Sequence, residues 1–407
     1  MRVKHLILGA GPAGLTIGNR LKQHGENSFL VLEKESAPGG LCRSVEVDGS
    51  PFDIGGGHFL DVRRPEVNRF LFDFMPEQEW NLFDRDSRIV VNGNEIGHPL
   101  EANIWQMKLE DQVQYLKSIA AAGCNRGEPM PEAFVPWIYW KLGDRIAEDY
   151  MIPYNQKMFS KELDQLGTYW LEKLPNVSFE ETLLSCLEKK PYGTQPGHAR
   201  FYYPKHYGYG ELWSRMGEAI KENLWCDCKV HGIDFEARRV MTENGTISYE
   251  NKLLVTVPWT CFSKLRGMPE ALVGQIQNLK YSTIETRYFD ETPDTKAHWV
   301  YYPDPELPYH RILVRSNFCT GSRGYWTETN RERTALFEES DSDRFQYLNE
   351  YAYPLNTRDK QTVMEELLSW AEQHDTIGVG RWGEWQHYNS DLTVERAMRA
   401  AERVMGN

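Results

Sequence analysis

The chain has 407 residues, 41% hydrophobic and 26% charged, a globular balance in a length that calls for two or three domains. Its net charge of −13 excludes the basic surface that non-specific nucleic-acid binding needs. No run approaches the roughly 20 apolar residues that span a bilayer, so no membrane span is expected.

In chain order, a strand from Val3 to Leu8 runs into Gly9-Ala10-Gly11-Pro12-Ala13-Gly14, and a helix follows with Leu15, Ile17, Gly18 and Leu21 on one face. A second strand, Ser28 to Leu32, ends at Glu33. Residues 66–76 and 105–190 read mainly as helix, with breaks at Gly127-Glu128-Pro129 and Pro191. Strands are expected over Lys229 to Phe235, Arg239 to Thr242 and Ile247 to Tyr249, with Glu243-Asn244-Gly245 as a hairpin turn. Leu253 to Val257 reads as a separate buried strand halted by Pro258. Residues 283–318 again look like β-structure, and helices over Thr362 to Gln373 and Thr393 to Met405 close the chain.

The opening βαβ unit carries the first chemical signal. GxGxxG alone is common, but here it comes after a strand, opens a helix, and has an acid at the end of the next strand. Gly9 permits the turn, Gly11 lets backbone approach a pyrophosphate, and Gly14 lets helix and strand pack closely. The free N–H groups of the helix N-terminus favour the anion, and Glu33 is placed to accept from ribose hydroxyls. Two glycine segments beyond Glu33 favour FAD over NAD. Gly39-Gly40-Leu41-Cys42-Arg43 puts a glycine pair and a cation where a second stretch of diphosphate would lie, and Gly55-Gly56-Gly57-His58 gives backbone access to a ring.

The seven cysteines are odd in number and scattered. Cys226 and Cys228 form a CxC without a second pair, so no metal site is expected, and the thiols read as reduced in a cytoplasmic protein. The apolar piece Leu6 to Leu15 is broken by glycines and has no cleavage site, so it does not read as a signal peptide.

These segments resemble the FAD-dependent amine oxidase and protoporphyrinogen oxidase superfamily, which includes the UDP-galactopyranose mutases. The resemblance implies that Arg43 lies against the FAD phosphates, Gly56, Gly57 and His58 along the isoalloxazine, and Val230 near the adenine. Arg381-Trp382-Gly383-Glu384-Trp385 leads to Tyr388-Asn389-Ser390-Asp391, where Asn389 and Asp391 are good helix-cap types facing the flavin.

Further segments are similar to the eukaryotic-type mutases. They are His98 to Ile104, Pro153 to Phe159, Tyr203 to Trp213, Trp299 to Arg311 and Tyr353-Pro354-Leu355-Asn356-Thr357. The similarity implies interconversion of the pyranose and furanose forms of a nucleotide sugar through N5 of reduced flavin, kept reduced by an external reductant. His58, Arg311, Tyr301 and Tyr353 would serve the reaction, with Arg311 neutralising the leaving diphosphate. Asn103, Asn155, Phe159, Lys173, Trp299 and His387 would hold the substrate. The alternative is an FAD-dependent oxidoreductase of the amine oxidase type, acting on a small molecule.

The expected fold is α/β, with a Rossmann-like FAD-binding domain of the glutathione-reductase type, a helical insertion and a β-sheet substrate domain. Residues 1–80, 200–265 and 375–407 are assigned to the FAD-binding domain. Residues 105–190 are assigned to the helical part, and 81–104 with 266–374 to the substrate sheet.

Overall fold

The structure, a computed structural model, describes residues 1–171, 176–193, 199–338, 341 and 344–406. The strand expected over Val3 to Leu8 forms as Arg2–Leu8, the helix after it as Pro12–Gln23, and the strand expected over Ser28 to Leu32 as Phe29–Leu32. The two strands run parallel, and a segment Leu224–Trp225 extends the sheet beyond Phe29–Leu32. Burial on both faces explains the apolar runs Leu6-Ile7-Leu8 and Phe29–Leu32. Gly14 is required by close approach, since a Cβ there would sit 1.9 Å from the Gly9 carbonyl oxygen.

One expectation is corrected. Ile247–Tyr249 and Leu253–Val257 are not separate strands but one strand, Gly245–Val255. Its polar middle, Glu250-Asn251-Lys252, looks like a break in sequence. Yet hydrogen-bonding partners flank it: its first half pairs antiparallel with Arg239–Thr242, and its second half lies parallel to Arg2–Leu8 and to Thr376–Gly378. This strand organises an eight-stranded sheet that also holds Val230–Asp234 and Lys264–Arg266.

A second sheet of seven strands runs in the order Gln346–Pro354, Tyr281–Phe289, Tyr325–Asn330, Arg311–Leu313, Trp299–Tyr301, Ser87–Val91, Asn94–Gly97. Alternation along Tyr325–Asn330 fails because both faces are covered, which buries Glu328 completely. Helices Leu109–Ala120, Phe134–Ile146, Ile152–Phe159 and Phe179–Glu188 supply the helical part of the chain. A π-helical turn at Ala147–Met151 precedes the third of these. The C-terminal helix Ser390–Met405 packs against Pro12–Gln23, bringing two helix N-termini to one cleft. Among the described residues, no helix is long and apolar enough to cross a membrane, and all seven cysteines are free thiols.

Candidate active site

A cleft of about 480 Å³ opens where the first strand meets the first helix, lined by Gly9, Gly11, Glu33, Gly40, Arg43 and Arg381 among others. Helix Pro12–Gln23 has no side-chain cap, so its first N–H groups are available to an anion. A Cβ on Gly11 would meet the Gly40 Cα at 3.9 Å and a Cβ on Gly40 would fall 3.1 Å from the Gly11 Cα, so the two glycine backbones pack closely against each other in the wall of the cleft. Glu33 is buried. Its Oε2 accepts from the Ala10 amide at 2.7 Å and Oε1 from the Glu35 amide at 3.0 Å. Burial pushes its carboxyl up, against the pull of those two amides. Each oxygen keeps a second lone pair for a ribose hydroxyl.

Arg43 is held over the cleft by three contacts: Gly40 O at 3.2 Å, Tyr347 Oη at 2.8 Å and Glu35 at 3.4 Å. Arg381 donates to Tyr388 O at 2.8 Å and Ala352 O at 3.0 Å, and burial lowers its pKa. Neither guanidinium is a surface charge, and both can meet phosphate or the polar edge of a ring.

The cleft continues into an inner cavity of about 210 Å³, and the two share His58, Leu41, Arg381 and Ser390. His58 is half-buried, its buried Nδ1 has no hydrogen-bond partner among the described residues, and desolvation first, then Arg381, lowers its pKa to about 3. It is therefore a neutral imidazole in the wall that the two cavities share. An orphaned nitrogen there fits a ring with hydrogen-bonding edges, so the residues present suit a flavin.

Arg311, Tyr301, Tyr353, Trp299 and His387 all line the inner cavity. Arg311 Nη2 donates to Glu328 at 2.8 Å and lies 3.3 Å from Tyr353 Oη, which itself donates to Glu328 at 3.2 Å. Glu328 also accepts from the Gly57 amide at 2.9 Å. Burial alone would raise the Glu328 carboxyl, but Arg311 and His310 outweigh it and hold it well below the usual carboxylate range. Gly56 turns at φ +85, and a Cβ there would fall 2.3 Å from the same carboxylate. The glycine run is thus matched to Glu328 as well as to a ligand. Tyr301 Oη accepts from Trp299 Nε1 at 2.8 Å and from Arg85 at 3.1 Å.

Other expected site residues lie elsewhere. Asn389 occupies the N-cap position of Ser390–Met405 and lines the inner cavity, but its side chain does not cap the helix. Asp391 lines neither cavity and instead pairs with Arg64. Val230 opens its strand and lines neither cavity. Asn155, bonded to Met151 O at 2.7 Å, and the buried Phe159 also line neither. The same helix does present Met158 to the inner cavity. Asn103 lines a separate outer cleft. Lys173 lies outside the described residues.

Sequence reasoning missed Arg85 and Glu328. Arg85 sits in Asp84-Arg85-Asp86, which reads as a solvated charge run. Glu328 carried one usable signal, a lone carboxylate in a strand that is otherwise Thr, Trp, Tyr and Asn.

The fold and cleft define a Rossmann-type dinucleotide-binding α/β protein, and residues 7–74 match a family model described as an NAD(P)-binding Rossmann-like domain. Beyond that segment the likeness extends to the whole chain. A probable UDP-galactopyranose mutase of Klebsiella pneumoniae is 19% identical over 424 aligned residues, covering 99% of this chain and 94% of that protein. The crystal structure of a reduced UDP-galactopyranose mutase superposes with a TM-score of 0.88 at 23% identity, covering 99% of this chain and 96% of that one. A putative protoporphyrinogen oxidase from Exiguobacterium superposes less closely, with a TM-score of 0.71 at 12% identity over 100% and 99% of the two chains.

Proposed function

We propose that this protein is an FAD-dependent enzyme of the UDP-galactopyranose mutase kind, converting a nucleotide sugar between its pyranose and furanose forms. The observation that carries this reading is the junction of the two cavities. Dinucleotide-binding features end at His58 and Arg381, and a compact cavity holding Arg311, Tyr301 and Tyr353 begins there. Full-length similarity to mutases, closer than that to the oxidase-type structure, supports it further.

Reduced FAD, when bound, supplies a nucleophilic nitrogen for the anomeric carbon with no net consumption of electrons. The chain's own residues do the rest. The pyrophosphate is held at the Gly9–Gly14 turn and by Arg43, and the ribose by Glu33. Arg311, already oriented by Glu328, meets negative charge as the diphosphate departs. The rings of Tyr301, Tyr353 and Trp299 exclude water, and neutral His58 offers Nδ1 to the flavin edge without adding charge.

We assign the eight-stranded sheet, with residues 1–80, 200–265 and 375–407, to FAD binding. The sheet drawn from 81–104 and 266–374 is assigned to the substrate, and the helices of 105–190 to its cover. The protein would act in the cytoplasm and depend on an external reductant. The direct test is to incubate FAD-loaded protein with UDP-galactopyranose, reduced and oxidised in parallel, and to separate the products by chromatography. Furanose product from the reduced sample alone supports the reading. Substrate-driven bleaching of oxidised flavin by an amine would move the protein to the oxidoreductases.

A further inference from the structure

Asp53 stands just before the glycine run that leads to His58, lines neither cavity and is 1% exposed. No arginine, lysine or histidine pairs with it among the described residues. Its carboxylate instead collects three donors from separate parts of the chain. Ser44 Oγ donates to Oδ1 at 2.5 Å, Tyr203 Oη to Oδ2 at 2.9 Å and the Tyr209 amide to Oδ1 at 3.1 Å. Ser44 Oγ in turn accepts from the Gly210 amide at 2.7 Å. The packing is close: a Cβ on Gly208 would fall 2.4 Å from Ser44 Oγ and 2.9 Å from Asp53 Oδ1.

Tyr209 carries this arrangement to the cofactor cleft. Its ring is nearly parallel to that of His58, 15° apart with centres at 6.4 Å. Its Oη shares a 2.7 Å hydrogen bond with Ser390 Oγ. Ser390 opens the C-terminal helix and, like His58, lines both cavities. One tyrosine thus joins a buried acid to two residues of the shared wall.

The charge on Asp53 decides how firmly Tyr209 is held. All three partners donate, which suits a carboxylate. A neutral acid adds a proton that needs an acceptor. Either hydroxyl can turn round to accept it, but the Tyr209 amide can only donate, and its bond then loses the assistance of charge. Burial raises the Asp53 carboxyl to about 7, against the pull of Ser44, Tyr203 and Tyr209. The other titratable groups that face it are Tyr203, Tyr209, Cys42 and Cys319, and burial pushes all four up. They stay neutral over the range in which Asp53 changes charge.

Resting on the flavin reading of the cleft, we propose that Asp53 is a positioning residue that couples its own protonation to the flavin environment, through Tyr209 to Ser390 and His58.

Recording the absorbance and fluorescence of oxidised, FAD-loaded protein from pH 5.5 to 8.5 tests this. The oxidised form is used because the reduced flavin ring itself loses a proton in that range. The wild type should show a spectral step centred near pH 7. Asp53→Asn, similar in shape but without a charge to change, should lose the step. Tyr209→Phe, which keeps the amide and Asp53 but loses the bond to Ser390, should lose most of its amplitude. A step unchanged in Asp53→Asn would overturn the inference. Should that variant fail to fold or to load FAD, Tyr209→Phe decides, and an unchanged step there overturns it equally. A wild type that binds FAD with no step in this range would overturn the inference and leave the proposed function standing. Failure to bind FAD at all would overturn both.

Discussion

Arg311 and Glu328 form a buried ion pair at the inner cavity, with one guanidinium nitrogen 2.8 Å from Oε1 and 2.7 Å from Oε2 of the carboxylate. The same carboxylate holds the Gly57 amide beside His58. The pair therefore joins the cation that meets the substrate to the loop that meets the flavin. Removing one member of such a pair leaves an uncompensated buried charge, which costs far more than the pair contributes.

Glu328→Gln should keep the fold and FAD but lower kcat about tenfold or more, since Arg311 loses its orienting partner. Glu328→Ala should also lower stability by on the order of 3 kcal/mol, from the stranded cation. Steady-state kinetics with parallel thermal unfolding checks both. Unchanged kcat in Glu328→Gln would show that Glu328 has no part in turnover.

Gly56→Ala tests the same contact from the other side. The positive φ costs roughly 1–3 kcal/mol for a residue with a Cβ, and the methyl group would strike the Glu328 carboxylate. The expected outcome is a lower melting temperature together with an altered flavin absorbance spectrum. A spectrum and stability like the wild type would show that the loop does not touch the flavin.

Glu33→Ala should weaken FAD binding about tenfold or more, by loss of charge-assisted acceptance from the ribose. Glu33→Gln, which keeps shape but loses charge, should lie between. Fluorescence titration of apoprotein with FAD reads both directly.

Lys157 predicts a pH dependence of stability. It is buried, donates to Tyr302 O at 2.9 Å and Asp304 O at 2.7 Å, and so fixes the loop between Tyr301 and Arg311. Burial first, then Arg333, lowers its pKa to about 7, partly opposed by Asp304. The unfolded chain holds this proton up to about pH 10.5, so between about pH 7 and pH 10 it binds more protons than the folded chain. Stability from this group therefore rises with pH across that window and is lowest below it. Lys157→Met should flatten this rise in denaturant unfolding across pH 6 to 10. An equal slope in the variant would show that Lys157 does not titrate there.

Much of the nucleotide cleft was legible in the sequence, because its elements are local. Gly9, Gly11, Gly14 and Glu33 lie within one βαβ unit, and spacing alone brings them together. The inner cavity was legible only in part. Tyr301, Arg311 and Tyr353 came from resemblance, and Glu328, the partner of Arg311 and Tyr353, comes from a neighbouring strand whose pairing no local pattern encodes. Arg85 was hidden for the same reason, since Ser87–Val91 joins the sheet beside Trp299–Tyr301, far away in the chain. Asp391 misled in the opposite way: a good cap residue by type, it is drawn to Arg64 by a tertiary ion pair.

The most direct measurement is a count of turnovers per electron. FAD-loaded protein, reduced once and held without oxygen or further reductant, is given excess UDP-galactopyranose, and furanose product is counted against flavin. Mutase chemistry predicts many products per flavin with the flavin still reduced at the end. At most one product per flavin, or flavin reoxidised as substrate is consumed, would contradict it.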